Sequence, residues 1–188
     1  MAGRNHYQLF ETTAGVAAIG WNDVGVTGLR LPAPGADESE RAVLRRLPGA
    51  QRHEPPPEVR AVIDAAIRYF AGERVDFSDV PLDMGEQDMF FARVYDLVRG
   101  LGWGETTTYG AIAQQLGVGP EYARAVGQAM ARNPIPLIVP CHRVTAAGGK
   151  IGGFSAPGGS ISKARMLELE GVATGTVDGP PAQQGFDF

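Results

Sequence analysis

Apolar and polar positions alternate in short runs at the start of the chain. Three such runs, Tyr7–Phe10, Val16–Trp21 and Val24–Leu31, are separated by Ala14-Gly15 and Asn22-Asp23. β-rich runs broken by tight-turn residues predict an antiparallel meander. The period then changes: Asp37–Leu47 predicts a short helix stopped by Pro48-Gly49. Gln51–Pro57, with three consecutive prolines, predicts a stiff connector in which His53 is a solvated loop residue. Beyond it Val59, Val62, Ile63, Ala66, Ile67 and Phe70 recur at the spacing that sets all of them on one face of a helix, which Gly72 ends. Val75–Met84 predicts a short strand and a proline-containing linker.

The second half is helical in pattern. Gln87–Leu101 carries Phe90, Phe91, Val94, Leu97, Val98 and Leu101 at helical spacing. Thr108 is a candidate cap for a helix holding Ile112 and Leu116, with Gly117 as its left-handed stop. Pro120 opens a further helix from about Glu121 to Arg132, closed by Asn133-Pro134. Helix, short glycine-bearing turn, helix is the helix-turn-helix pattern. Around Arg124 the second helix presents small residues, Ala125 and Gly127 among them. Small side chains let a helix approach a narrow surface such as the minor groove of DNA; equally, they permit tight packing against another helix, and the pattern alone leaves both readings open. The chain thus divides into residues 1–84, a supporting α/β domain, residues 85–171, a mostly helical domain, and residues 172–188, a Gly-, Pro- and Gln-rich tail expected to be disordered.

Composition narrows the classes. A chain of 188 residues can bury its own core without a metal or disulfide. It has no long apolar run, and its first residues lack the apolar block of a signal peptide, so a cytoplasmic setting with no membrane partner is expected. The net charge of −4 argues weakly against a polyelectrolyte binder. The average hides a gradient: from Leu101 to Gly171 six cations face four acids, +2, which leaves −6 for the rest. A mildly basic module on an acidic support suits contact with DNA on one face, as it suits ordinary surface variation.

The stretch Pro140-Cys141-His142-Arg143-Val144 holds the only cysteine. A lone cysteine forms neither an internal disulfide nor a multi-thiolate metal site, so its chemistry is that of a single nucleophile. Taken in isolation, the pair reads as a buried core cysteine beside a chance histidine. A Cys-His hydrolase of small esters or amides is a further reading, for which no distinct oxyanion loop is evident.

Taken together, Tyr109, Arg124, Asn133-Pro134, Pro140-Cys141-His142-Arg143-Val144, Gly152-Gly153-Phe154-Ser155 and Glu170-Gly171 occur in an order that closely resembles the O6-alkylguanine-DNA alkyltransferase family, over roughly Asp88 to Gly171. The resemblance implies an α+β fold, with an N-terminal antiparallel sheet and helices of ribonuclease-H-like type followed by a mostly helical, winged helix-turn-helix-like domain. It implies irreversible transfer of the alkyl group of O6-methylguanine, with O4-methylthymine as a further lesion, from duplex DNA to Cys141 after nucleotide flipping. The protein then acts once, as a monomer without cofactor or metal. An ordinary thiol, with a pKa of about 8.5, is only a few per cent ionised near neutral pH. His142 is accordingly implied as the base, through a bridging water, and Glu170 as its orienter.

By the same resemblance Tyr109 donates to guanine N3, and Arg124 takes the place of the extruded nucleotide. Asn133 braces the active-site turn, the Val144 carbonyl accepts from the guanine amino group, and Ser155, after Gly152, Gly153 and Phe154, meets the substrate oxygen. Ala125, Gly127, Arg143 and Lys163 complete the implied substrate and DNA contacts. Phe154 stands where some members carry tyrosine, and residues 156–162 form a slightly longer loop. With one cysteine, the zinc site of some members' N-terminal domain cannot form. Relatives with tryptophan at the nucleophile position only bind lesions. That non-catalytic role is the alternative here, and Cys141 argues against it.

Overall fold

The computed structural model describes residues 3–151 and 159–174, without the side chains of residues 159–161. The protein is mixed α/β and forms two compact units. One runs to Glu86 and takes in Pro134–Ile138; the other comprises Gln87–Asn133 and the described residues from Val139 onward. Among the described residues, no helix is long and apolar enough to cross a membrane.

The first unit is built on a sheet of order β3-β2-β1-β4. Strands β1 (His6–Thr12) and β2 (Gly15–Trp21) pair antiparallel, joined by a turn that Gly15 enters with φ +128°. A side chain at that angle would be strained. β2 pairs antiparallel with β3 (Val26–Ala33). Between them Asn22 Oδ1 accepts from the Val24 and Gly25 N–H groups, an Asx turn that starts β3 two residues later than the apolar pattern suggests. Helix α1 (Ala36–Arg46) lies against β2 and β3, with Val43 packed on Tyr7 and Ala18. Helix α2 (Pro57–Phe70) lies against β1 and buries Val59, Val62, Ile63, Ala66, Tyr69 and Phe70. Each buried Val, Ile or Phe side chain among them contributes about 1.5–3 kcal/mol.

Two expectations are corrected. Gln51–Arg52 is strand β4, parallel to β1, rather than connector. Its N–H groups are intact, so Gln51 and His53 donate to Asn5 O and Tyr7 O, and the chain leaves the sheet only where proline removes the donors. Val75–Met84 holds no strand, only an isolated bridge between Val26 and Leu82. Pro81 accepts from Val26 and Asp83 donates back to it, which exhausts the pairing.

In the second unit Asp88 caps helix α3 (Met89–Arg99), accepting from the N–H groups of Phe90 and Phe91. Thr108 closes strand β5 (Thr107–Thr108) and caps helix α4 (Tyr109–Gln115), accepting from Ala111 N–H at 3.1 Å. Gly117, at φ +73°, ends that helix. A 3-10 turn, Pro120–Tyr122, leads into α5 (Ala123–Ala131). The Tyr95 hydroxyl donates to Ala129 O at 2.8 Å and ties α3 to α5. β5 pairs in parallel with β6 (Val144–Thr145), and α6 (Gly159–Leu169) packs on the 3-10 turn Cys141–Arg143.

Candidate active site

Cys141 sits on a tight, doubly fixed turn. Pro140, at φ −79° and ψ 68°, adopts the inverse γ conformation, and Cys141 N–H donates to Val139 O at 2.8 Å. Arg143 N–H closes the next turn on Pro140 O. The Asn133 side-chain amide donates to the same Val139 carbonyl at 2.8 Å, so both of that oxygen's acceptor positions serve the turn.

Next to the cysteine lies a buried ionic network. Glu170 follows α6 directly and is only 5% exposed. It accepts from His142 Nε2 at 2.5 Å, from Arg143 Nε at 2.7 Å and from Gly104 N–H at 3.1 Å. Arg143 Nη1 also donates to Leu101 O at 2.6 Å. Burial lowers the His142 pKa below its usual 6.5, a shift that the Glu170 hydrogen bond opposes in part. Arg143 stays charged and balances the carboxylate, which leaves the imidazole neutral near pH 7. A carboxylate can only accept, so Nε2 carries the proton and Nδ1 the lone pair. The ring is therefore set up as a base at Nδ1.

A second set of polar groups lies near enough to feel charge on Cys141. Lys163 is 1% exposed, and its ammonium donates to Val144 O at 2.5 Å and to the Tyr109 hydroxyl at 3.3 Å. Its Nζ also lies 5.6 Å from the centre of the Tyr109 ring. Burial pushes the lysine down to about 8, while negative charge on Cys141 acts in the opposite direction. The Tyr109 pKa is raised, first by burial and then by that same charge. The phenol therefore keeps its proton. Because its oxygen accepts from Lys163, that proton is directed elsewhere. Cys141 is buried, but among groups that respond to a thiolate rather than in hydrocarbon alone.

Several expected contacts are placed differently. Arg143 is an internal brace for Glu170, and Lys163 an internal cation beside the cysteine; burial removes both from any DNA-facing surface. Lys163 occupies one of the two acceptor positions that the Val144 carbonyl offers. On α5, Arg124 and Gln128 are exposed and Ala125 is half-buried, whereas Gly127 is buried with Val126, Ala129 and Met130. Gly152, Gly153, Phe154 and Ser155 lie outside the described residues, as do residues 156–158 of the loop and 175–188 of the tail, while 159–162 form the first turn of α6 rather than loop. The sequence reading missed Gly104, whose N–H completes the Glu170 shell; its only signal was a glycine beside Trp103. Among the described residues, no three His, Cys, Asp or Glu side chains gather as a metal site.

Comparison with known proteins agrees with this geometry. Residues 89–172 match the family model for the DNA-binding domain of 6-O-methylguanine DNA methyltransferase. The methylated-DNA–protein-cysteine methyltransferase of Mycobacterium bovis is 39% identical over 166 residues, 88% of this chain and 92% of that one. A DNA base-flipping protein of Thermus thermophilus is 40% identical over 156 residues, 81% of this chain and 92% of that one. A crystal structure of Mycobacterium tuberculosis OGT in complex with DNA superposes with a TM-score of 0.69 at 35% identity, over 88% of this chain and 92% of that one. With one relative matched along nearly its whole length and the cysteine turn built as described, this chain belongs to the methylated-DNA–protein-cysteine methyltransferase family.

Proposed function

We propose that this protein repairs duplex DNA by moving the alkyl group of O6-alkylguanine, and of O4-methylthymine, irreversibly onto Cys141. The observation that carries this reading is the Cys141 turn together with a neutral His142 bonded to Glu170 and a Lys163–Tyr109 pair that feels charge on Cys141. His142 Nδ1 takes the thiol proton, directly or through a water, and the Lys163 ammonium favours the resulting thiolate. The sulfur attacks the alkyl carbon, the S–C bond forms as the C–O bond breaks, and the electron pair passes to the guanine ring. Tyr109 supplies a proton to that ring at N3. A thioether has no second thiol to accept its alkyl group, so each chain reacts once. Arg124, exposed at the start of α5, fills the place of the flipped nucleotide, which offsets part of the few kcal/mol that unstacking costs.

In this reading the sheet unit is the ribonuclease-H-like support, the helical unit is the winged helix-turn-helix-like reader, and the protein works as a cytoplasmic monomer. Intact mass after incubation with a duplex carrying O6-methylguanine tests the proposal. One added methyl on the Cys141 peptide is expected; multiple turnover with unmodified protein would contradict it.

The pH dependence has a definite sign. Transfer needs a neutral His142 and a charged Lys163. The single-turnover rate should hold down to a pH below 6.5, because the His142 pKa is lowered, and should fall above about 8 as Lys163 loses its proton. Lys163→Met should be slower throughout and lack the alkaline fall. Stability follows the same groups. Below pH 6.5 the unfolded chain protonates a histidine that the folded chain keeps neutral, so His142 lowers stability as pH falls, by at most about 1.4 kcal/mol per pH unit.

A further inference from the structure

Among the described residues three large apolar side chains stand out as exposed: Val24 at 64%, Met89 at 84% and Tyr122 at 44%. Two of them fall together in the second unit. The Tyr122 ring lies 5.7 Å from the ring of half-buried Phe90, tilted by 52°, and Phe90 directly follows Met89 at the start of α3. An apolar side chain scattered alone on a surface is ordinary. An aromatic held against a second ring, one residue before the helix that carries exposed Arg124, is a different feature.

We infer that the outer face of Tyr122, backed by Phe90, is a second DNA-contacting surface that packs on a deoxyribose or base edge beside the site filled by Arg124. This inference rests on the proposed function. Residues two apart on a helix do not face each other, so Tyr122 and Arg124 flank the start of α5 rather than stacking on one another. The local charge selects the kind of contact. Glu121, exposed on the same turn, folds its carboxylate back against Gly119, where it repels a phosphate. The neutral ring therefore suits the apolar parts of the nucleotide, and its affinity is of the stacking type.

The test compares Tyr122→Ala and Tyr122→Phe with the unaltered protein, using a duplex oligonucleotide containing O6-methylguanine and, separately, free O6-methylguanine base. Tyr122→Ala should slow transfer from the duplex about tenfold, within the range known for loss of one aromatic platform. Tyr122→Phe should keep the duplex rate, and both variants should keep the rate on free base. Duplex affinity should weaken without a change in the slope of log Kd against log salt, since no phosphate contact is lost. Unchanged duplex transfer, equal loss on both substrates or a flattened salt slope would each overturn the inference. If the unaltered protein transfers no methyl group at all, the functional reading fails and takes this one with it. Transfer by the unaltered protein with Tyr122→Ala equally fast removes this one alone.

Discussion

Replacing Cys141 by alanine should abolish methyl transfer while leaving duplex affinity intact. No other thiol can form the thioether, since the chain has one cysteine, and no neighbouring group can take its place. His142 Nε2 is held by Glu170, Tyr109 keeps its phenolic proton, and Lys163 is protonated below about pH 8. The turn should survive, because what fixes it is the Asn133 amide and the Cys141 backbone N–H, neither of which the substitution removes. Cys141→Ser should also fail, since a hydroxyl ionises far less readily than a thiol. Single-turnover transfer and equilibrium binding, measured side by side, check both. Protection of cells against methylating agents by Cys141→Ala would instead favour the non-catalytic lesion-binding alternative.

The second large effect is expected at Glu170. Glu170→Ala leaves the Arg143 guanidinium buried without its carboxylate and takes the acceptor from His142 and from Gly104 N–H. Breaking a buried ion pair from one side costs about 3–5 kcal/mol, a large part of the total of about 5–15 kcal/mol for a native protein. For a chain of this size the melting temperature should fall by roughly 10 °C. Glu170→Gln keeps one acceptor oxygen and the shape of the side chain, so it should recover part of the stability. It should not recover the rate: an amide can present either its oxygen or its NH2 to Nε2, and the His142 tautomer is then no longer fixed. Thermal melts and single-turnover rates on the two variants separate these effects. An unchanged melting temperature for Glu170→Ala would remove the carboxylate from the centre of the network.

What the sequence disclosed depends on how local the cause is. Thr108, Gly117 and Pro120 act on their own backbone, and each marks an element boundary close to where the structure has it. Cys141 and His142 are adjacent and stand out in the sequence as a pair, although their pairing in a reaction is implied only by the family resemblance. Glu170 is 28 residues from His142, and a lone glutamate after a helix reads as a surface charge until tertiary packing brings it inward. Only the family resemblance promoted it. Arg143 and Lys163 were misplaced for the same reason: a long cation is normally solvated, and only its buried partners reveal otherwise. A helix rich in Ala and Gly offers little contrast between its faces in the sequence, and the exposure of Arg124 and Gln128, four positions apart, shows which face is outward.

The five residues Pro134–Ile138 belong to the sheet unit although they are encoded between Asn133 and Val139 of the other. All five are buried; Leu29 N–H and the Arg30 guanidinium donate to Pro134 O at 3.1 and 3.0 Å, and Leu137 takes φ +75° without being glycine. During synthesis the first unit therefore waits for its last piece until the ribosome has already made α3, α4 and α5. Neither half can be excised by a single cut. A fragment ending at Glu86 would lack the strap that caps β3, and one beginning at Gln87 would carry Ile135, Leu137 and Ile138 with no sheet to receive them.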